Sequence, residues 1–221
     1  VEYNPIIDFV RAEEKCLTTH VDGFYGDVHP YFNEEENKLY MFYLSTGKQS
    51  SNPKTLYTSM LSTSTDMFDF VDEPLTMDES NMPIQSKYFV LNVFKDKDGL
   101  YRSSQGCSQR FTASSVSNDL HKWSKGGVKY TDNLGTERIT FMPNTDDSVF
   151  SSRDPDTFYD KDTDKYYTIV NCYMTSSKAG GPKCICLYIG DSEGKYDGNF
   201  KQLLSFPSRG DSECPQLKKI N

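Results

Sequence analysis

Three short acidic motifs occur in a fixed order along the chain: Gly26-Asp27-Val28-His29-Pro30, Arg153-Asp154-Pro155-Asp156 and Ser212-Glu213-Cys214-Pro215. Each sets a carboxylate just before or at the start of a short apolar or aromatic run. Paired carboxyl groups suit one kind of chemistry well. One protonates a leaving oxygen, and the other attacks as a nucleophile or activates water. Cleavage of a glycosidic bond uses two such groups flanking the bond. An aspartate ahead of a strand also serves as a turn or cap residue. The three acids therefore need a fold that gathers distant parts of the chain at one point.

The elements that must do this read as strands. Aromatic residues reach 14%, mostly Tyr and Phe, which suit pleated, half-buried surfaces. No long stretch shows a 3.6-residue apolar period. Three polar turns each follow an apolar or aromatic strand and precede another. They are Asn33-Glu34-Glu35-Glu36-Asn37, Lys95-Asp96-Lys97-Asp98-Gly99 and Asp160-Lys161-Asp162-Thr163-Asp164. Strand, acidic turn, strand is a β-hairpin pattern. A second repeat aligns Ser64-Thr65-Asp66-Met67-Phe68-Asp69-Phe70 with Ser117-Asn118-Asp119-Leu120-His121-Lys122-Trp123. The two copies lie about 53 residues apart, within the range of one propeller blade. Each offers a polar turn, one apolar plug and one aromatic, and a weaker third copy lies around Asp191 to Phe200. Four antiparallel strands per unit, arranged radially, make a β-propeller. The expected fold is thus all-β, a propeller of the five-bladed type with about three to four blades covered by this chain. Its 221 residues are read as a single domain. Blade one covers about 24–75, blade two about 84–130 and blade three about 153–205, with the start of blade four at about 211–221. The stretch Thr131 to Ser152 reads as a long loop between blades.

In a propeller the first strand of each blade lines the central axis. Asp27, Asp154 and Glu213 fall at such starts in units one, three and four. Unit two begins near Gln85-Ser86-Lys87 and offers no acid there. His29 follows Asp27 by two residues, so on a regular strand it shares that face and could touch a substrate; a packed histidine is equally compatible. Trp123 fits the repeat as a core residue.

Charge and cysteine usage exclude other classes. A net charge of −8 without a basic cluster argues against a nucleic-acid partner. No apolar run is long enough to span a membrane. The six cysteines form no C-x-x-C pair and only three histidines accompany them, so no zinc site is expected. Free thiols in or near the core fit best, with disulfides left open. Asp160, Asp162 and Asp164 are spaced like a calcium loop, but Lys165 and Asn171 occupy the positions that need Gly and Glu. No metal or cofactor is expected. No signal peptide is read in the sequence, which starts at Val1, so one removed or never included is compatible with it, and cytoplasmic and secreted locations both stay open.

Arg153-Asp154-Pro155 and Glu213-Cys214-Pro215, in order and with blade repeats, resemble the R-D-P and E-C motifs of glycoside hydrolase family 32, the β-fructosidases. The resemblance covers essentially the whole chain at blade level. It implies hydrolysis of a furanoside, with an oligo- or polysaccharide as substrate. It also implies Asp27 as nucleophile, Glu213 as general acid/base, Asp154 as a sugar-binding transition-state stabiliser, and Arg153 as a residue that orients Asp154 or binds sugar directly. The first motif departs from the family's N-D-P-N-G block, with Gly26 in place of the first Asn and no Asn-Gly after it. No W-S-G-S block stands in unit two. Family 43 arabinofuranosidases and xylosidases, which share the propeller, are therefore an alternative. A carbohydrate-binding propeller without catalysis is another. An unclosed ring would leave exposed sheet edges, so a second polypeptide or a C-terminal segment is expected to complete it.

Overall fold

The structure is a computed structural model that describes residues 25–45, 58–77, 91–108, 111–125, 149–174, 183–192, 196–206 and 214–218. Within them every regular element is a strand. The first sheet is an antiparallel meander of β1 (Tyr25–Asn33), β2 (Lys38–Ser45), β3 (Thr58–Ser64) and β4 (Val71–Glu73). The second runs in the order β5-β9-β8-β7-β6. It comprises β5 (Thr76–Met77), β6 (Asn92–Lys95), β7 (Tyr101–Ser108), β8 (Phe111–Ser117) and β9 (Lys122–Lys125). The third is a meander of β10 (Val149–Asp160), β11 (Lys165–Met174), β12 (Lys183–Gly190) and β13 (Tyr196–Phe206).

All three acidic turns are hairpins joining the first and second long strands of a sheet, and each ends on a left-handed residue. Asn37 has φ 49°, Gly99 φ 81° and Asp164 φ 51°. Asn and Asp tolerate this region better than other side-chain-bearing residues, and Gly adopts it freely. The S-x-D turn repeats bond for bond. Ser64 Oγ accepts the Met67 N–H at 2.9 Å, and Asp66 Oδ1 accepts the N–H groups of Phe68 and Asp69 at 2.9 and 2.8 Å. Ser117 Oγ likewise accepts the Leu120 N–H at 2.9 Å, and Asp119 Oδ1 those of His121 and Lys122 at 2.9 and 2.7 Å. Met67 and Leu120 are both left-handed, at φ 67° and 65°. The plug differs between the copies. Leu120 and Trp123 are buried, whereas Met67 is 56% exposed, so the first copy keeps the turn without filling the core. In the third copy, residues 193–195 lie outside the described residues.

The sheets pack face to face. Tyr40, Phe42, Leu44 and Leu61 of the first meet Leu91, Val93, Tyr101, Leu120 and Trp123 of the second in one core. Phe42 and Trp123 meet edge to face at 6.2 Å, a favoured ring geometry. Asn33 donates to the Tyr101 hydroxyl at 3.1 Å across the same interface. The second and third sheets join through Phe94 and Tyr166, 6.3 Å apart, and through a buried polar network. There Asp96 accepts from both the Tyr166 hydroxyl and the Arg102 guanidinium. Arg102 also donates to Asp98 at 2.8 Å. A parallel pairing of Thr76 and Met77 with Lys122 and Trp123 ties the connector after the first sheet onto the second.

Residues of β1, β6 and β10, with Glu34, Glu35, Leu39 and Lys218, line one cavity of about 590 Å³, and Tyr31, Phe94, Lys95 and Phe158 are among its walls. One expectation needs adjustment: Val149–Ser152 belongs to β10 rather than to the preceding loop, because the strand continues beyond the R-D-P motif on both sides. Residues 126–148 of that loop, and Gln85-Ser86-Lys87, lie outside the described residues.

Candidate active site

Asp27 and Asp154 occupy equivalent places in two sheets. Each sits within an inner strand, where a bulge interrupts pairing to the next strand. The register shifts between Gly26 and His29 in β1 and between Arg153 and Asp156 in β10. Both aspartates are left-handed, at φ 51° and 54°. A bulge re-aims the side chain it carries, and left-handed residues other than Gly concentrate at functional sites. Cys214 shares this conformation at φ 48°, although residues 214–218 lie outside the three sheets. The same backbone feature thus recurs at the first, second and third acidic motifs.

Cys214 brings the motifs together. Its N–H donates to Asp154 Oδ2 at 3.3 Å, and its thiol donates to Asp27 Oδ1 at 3.2 Å. Two carboxylates touched by one cysteine stand no more than about 10 Å apart, two hydrogen bonds and one residue's reach. Segment 214–218 is tied down further along. Gln216 donates through Nε2 to the Val28 carbonyl at 3.0 Å. The Leu217 N–H donates to Asp156 Oδ2 at 2.7 Å. Asp156 is 2% exposed. Burial pushes its carboxyl above the ordinary range, while Lys218 and the N–H groups of Leu217 and Thr157 oppose that shift.

The five residues singled out in the sequence fare differently. Asp27 and Asp154 meet at Cys214. Glu213 lies outside the described residues, one peptide bond before that meeting point. The backbone of Arg153 is part of β10; its side chain lies outside what is described. For His29 the face-sharing argument fails, because the bulge at Asp27 breaks the two-residue alternation. His29 pairs in register with Phe42 and is 3% exposed. Burial pulls its pKa down to about 4, with Asp27 opposing and Lys218 adding to that shift. Its Nε2 has no hydrogen-bond partner. Cys214, Gln216 and Asp156 were given no role in the sequence analysis. The first stands in the E-C-P motif itself, and the last lies two residues beyond Asp154.

Among the described residues no His, Cys, Asp and Glu group forms a metal-binding cluster. In the Asp160–Asp164 turn two carboxylates have partners within the hairpin, and Asp164 also pairs with Lys97 at 3.5 Å. Asp160 accepts from Thr163 at 2.8 Å and Asp164 from Tyr159 at 2.8 Å. The described cysteine side chains, Cys184, Cys186 and Cys214, form no disulfide with one another.

No family model matches the sequence, and no curated protein matches it. Solved structures do. A fructan 1-exohydrolase from Cichorium intybus, in complex with 1-kestose, superimposes with a TM-score of 0.57 at 14% identity, over 87% of this chain and 34% of that one. A family 32 β-fructofuranosidase of Bombyx mori gives 0.52 at 17% identity, over 80% and 37%. Another glycoside hydrolase gives 0.56 at 9% identity, over 91% and 65%. The fold of this chain is therefore the β-propeller of glycoside hydrolases, family 32 enzymes among them. The chain spans about a third of the length of the two fructan- and fructoside-cleaving enzymes.

Proposed function

We propose that this chain carries the active site of a glycoside hydrolase that cleaves a furanosidic bond, with a β-fructofuranoside as the substrate class. The observation that carries this reading is Cys214, which contacts the carboxylates of both Asp27 and Asp154 and follows Glu213 directly in the chain. Three motifs far apart in sequence thereby share one location. The propeller fold, common to fructan- and fructoside-cleaving enzymes, supports the substrate class.

In the proposed reaction Asp27 attacks the anomeric carbon and forms a glycosyl ester. Glu213 protonates the leaving oxygen, then takes a proton from the water that hydrolyses the ester. Asp154 accepts hydrogen bonds from sugar hydroxyls as positive charge develops on the ring, and Arg153 binds sugar oxygens through its forked donors. Configuration is retained because two inversions occur. No cofactor enters this scheme. A further polypeptide segment closing the ring belongs to the same proposal; exposed Ile189 and Leu203 on the third sheet are apolar surface that such a segment would cover.

The test is release of free sugar from sucrose, inulin, levan and nitrophenyl pentosides. Fructose from the first three supports the reading, and turnover of the pentosides alone moves the protein to arabinofuranosidase or xylosidase activity. Gly26, standing where the family has Asn, favours one further alternative, a sugar-binding propeller without catalysis. Binding without turnover, unchanged by Asp27→Asn, would establish it in place of the hydrolase.

A further inference from the structure

Among the described residues, segment 214–218 makes two hydrogen bonds to each of two inner strands. Cys214 and Gln216 reach β1, at Asp27 and at the Val28 carbonyl. Cys214 and Leu217 reach β10 through their N–H groups, at Asp154 and at Asp156. The β10 anchors are side-chain carboxylates, at the bulge where its own backbone ladder is interrupted. Two acids, two residues apart, accept from two amides three residues apart. The Leu217 bond at 2.7 Å is the shortest of the four, in the range of charge-assisted hydrogen bonds.

We propose that Asp156 is a positioning residue: its buried carboxylate clamps the Leu217 amide and so fixes the segment that sets Cys214 between Asp27 and Asp154. Asp156 touches no reacting atom in this scheme. Its partner across the sheet is Ile169, itself buried, and an apolar side chain would pack there without the cost of desolvating a carboxylate. The bond to Leu217 is what the acid supplies in return. Residue 213 is one peptide bond from Cys214, so a loose 214–217 segment would loosen it too. The effect on turnover therefore rests on the reading of Glu213 as acid/base; the clamp itself does not.

The experiment compares the parent chain with Asp156→Ala and Asp156→Asn. The amide oxygen of Asn can still accept the Leu217 N–H, whereas Ala cannot. The first readout is the rate of Cys214 alkylation by iodoacetamide, located by peptide mass spectrometry. Asp156→Ala is expected to raise it about tenfold, the scale of a lost buried hydrogen bond, and Asp156→Asn to restore it. The second readout is hydrolysis of sucrose or inulin, where Ala lowers kcat about tenfold with KM within about twofold and Asn again restores it. A folded Asp156→Ala protein whose Cys214 reacts at the parent rate overturns the clamp, as does an Asn variant as impaired as Ala. If no form, parent included, releases sugar, the hydrolase reading fails while the alkylation comparison still decides the clamp. If Asp156→Ala does not fold, amide exchange in the parent decides. A Leu217 amide far slower than those of the Lys161–Asp164 turn supports the clamp, and one equally fast overturns it.

Discussion

His29 should make this protein lose stability as the solution is acidified from pH 7 toward 5. Its ring is 3% exposed, its Nε2 lacks a partner, and burial holds its pKa at about 4. In the unfolded chain a histidine titrates near 6.5. Between those values the unfolded state binds a proton that the folded state refuses, so stability falls as pH drops through that window. The full displacement corresponds to roughly 3 kcal/mol, of which about 2 kcal/mol is already lost by pH 5. His29→Phe keeps a ring of similar size and removes the titration. Urea unfolding followed by the fluorescence of Trp123, the single tryptophan and a core residue, measures both proteins at pH 7.5, 6.5, 5.5 and 5.0. The parent should lose about 2 kcal/mol more than the variant over that range. Asp156 works in the opposite direction, since a raised carboxyl pKa favours the folded state as pH falls through it. Both proteins carry Asp156, so its contribution cancels in the difference. Parallel pH profiles for parent and variant would refute the burial argument for His29.

Two further predictions follow from named contacts. Asp96→Ala leaves Arg102, 5% exposed, without one of its two carboxylate partners and leaves Tyr166 without its acceptor. Calorimetry or urea titration should show a loss of about 3–5 kcal/mol, larger than that of the exposed turn variant Asp162→Ala. Asp154→Asn keeps an acceptor for the Cys214 N–H but removes the negative charge, so the variant should fold normally and lose about 10²–10³-fold in kcat, read by fructose release.

Much of the fold was legible because its signals are local. The acidic turns sit between alternating aromatic strands, and the S-x-D turn is closed entirely by its own Ser and Asp side chains. What escaped is set by long-range contact. Nothing in Met67 or Leu120 says which faces the core, since that depends on the neighbouring sheet. The parallel pairing of Thr76 with Lys122 joins residues that no local pattern connects. At the site, the positions of Asp27 and Asp154 were readable from their motifs, but the bulges were not. Those bulges shift the register by one residue, so two-residue spacing no longer puts His29 on the face of Asp27. Asp156 looked like the tail of a motif. Its role depends on Leu217, 61 residues away in sequence.

The most direct measurement looks for a glycosyl group on Asp27. A Glu213→Gln variant given a nitrophenyl fructofuranoside keeps the nucleophile and slows hydrolysis of the ester, so a fructosylated protein should accumulate. Peptide mass spectrometry should place one hexosyl unit on Asp27, and Asp27→Asn should abolish both adduct and turnover. A sugar attached elsewhere, or sugar release undiminished in Asp27→Asn, would contradict the account.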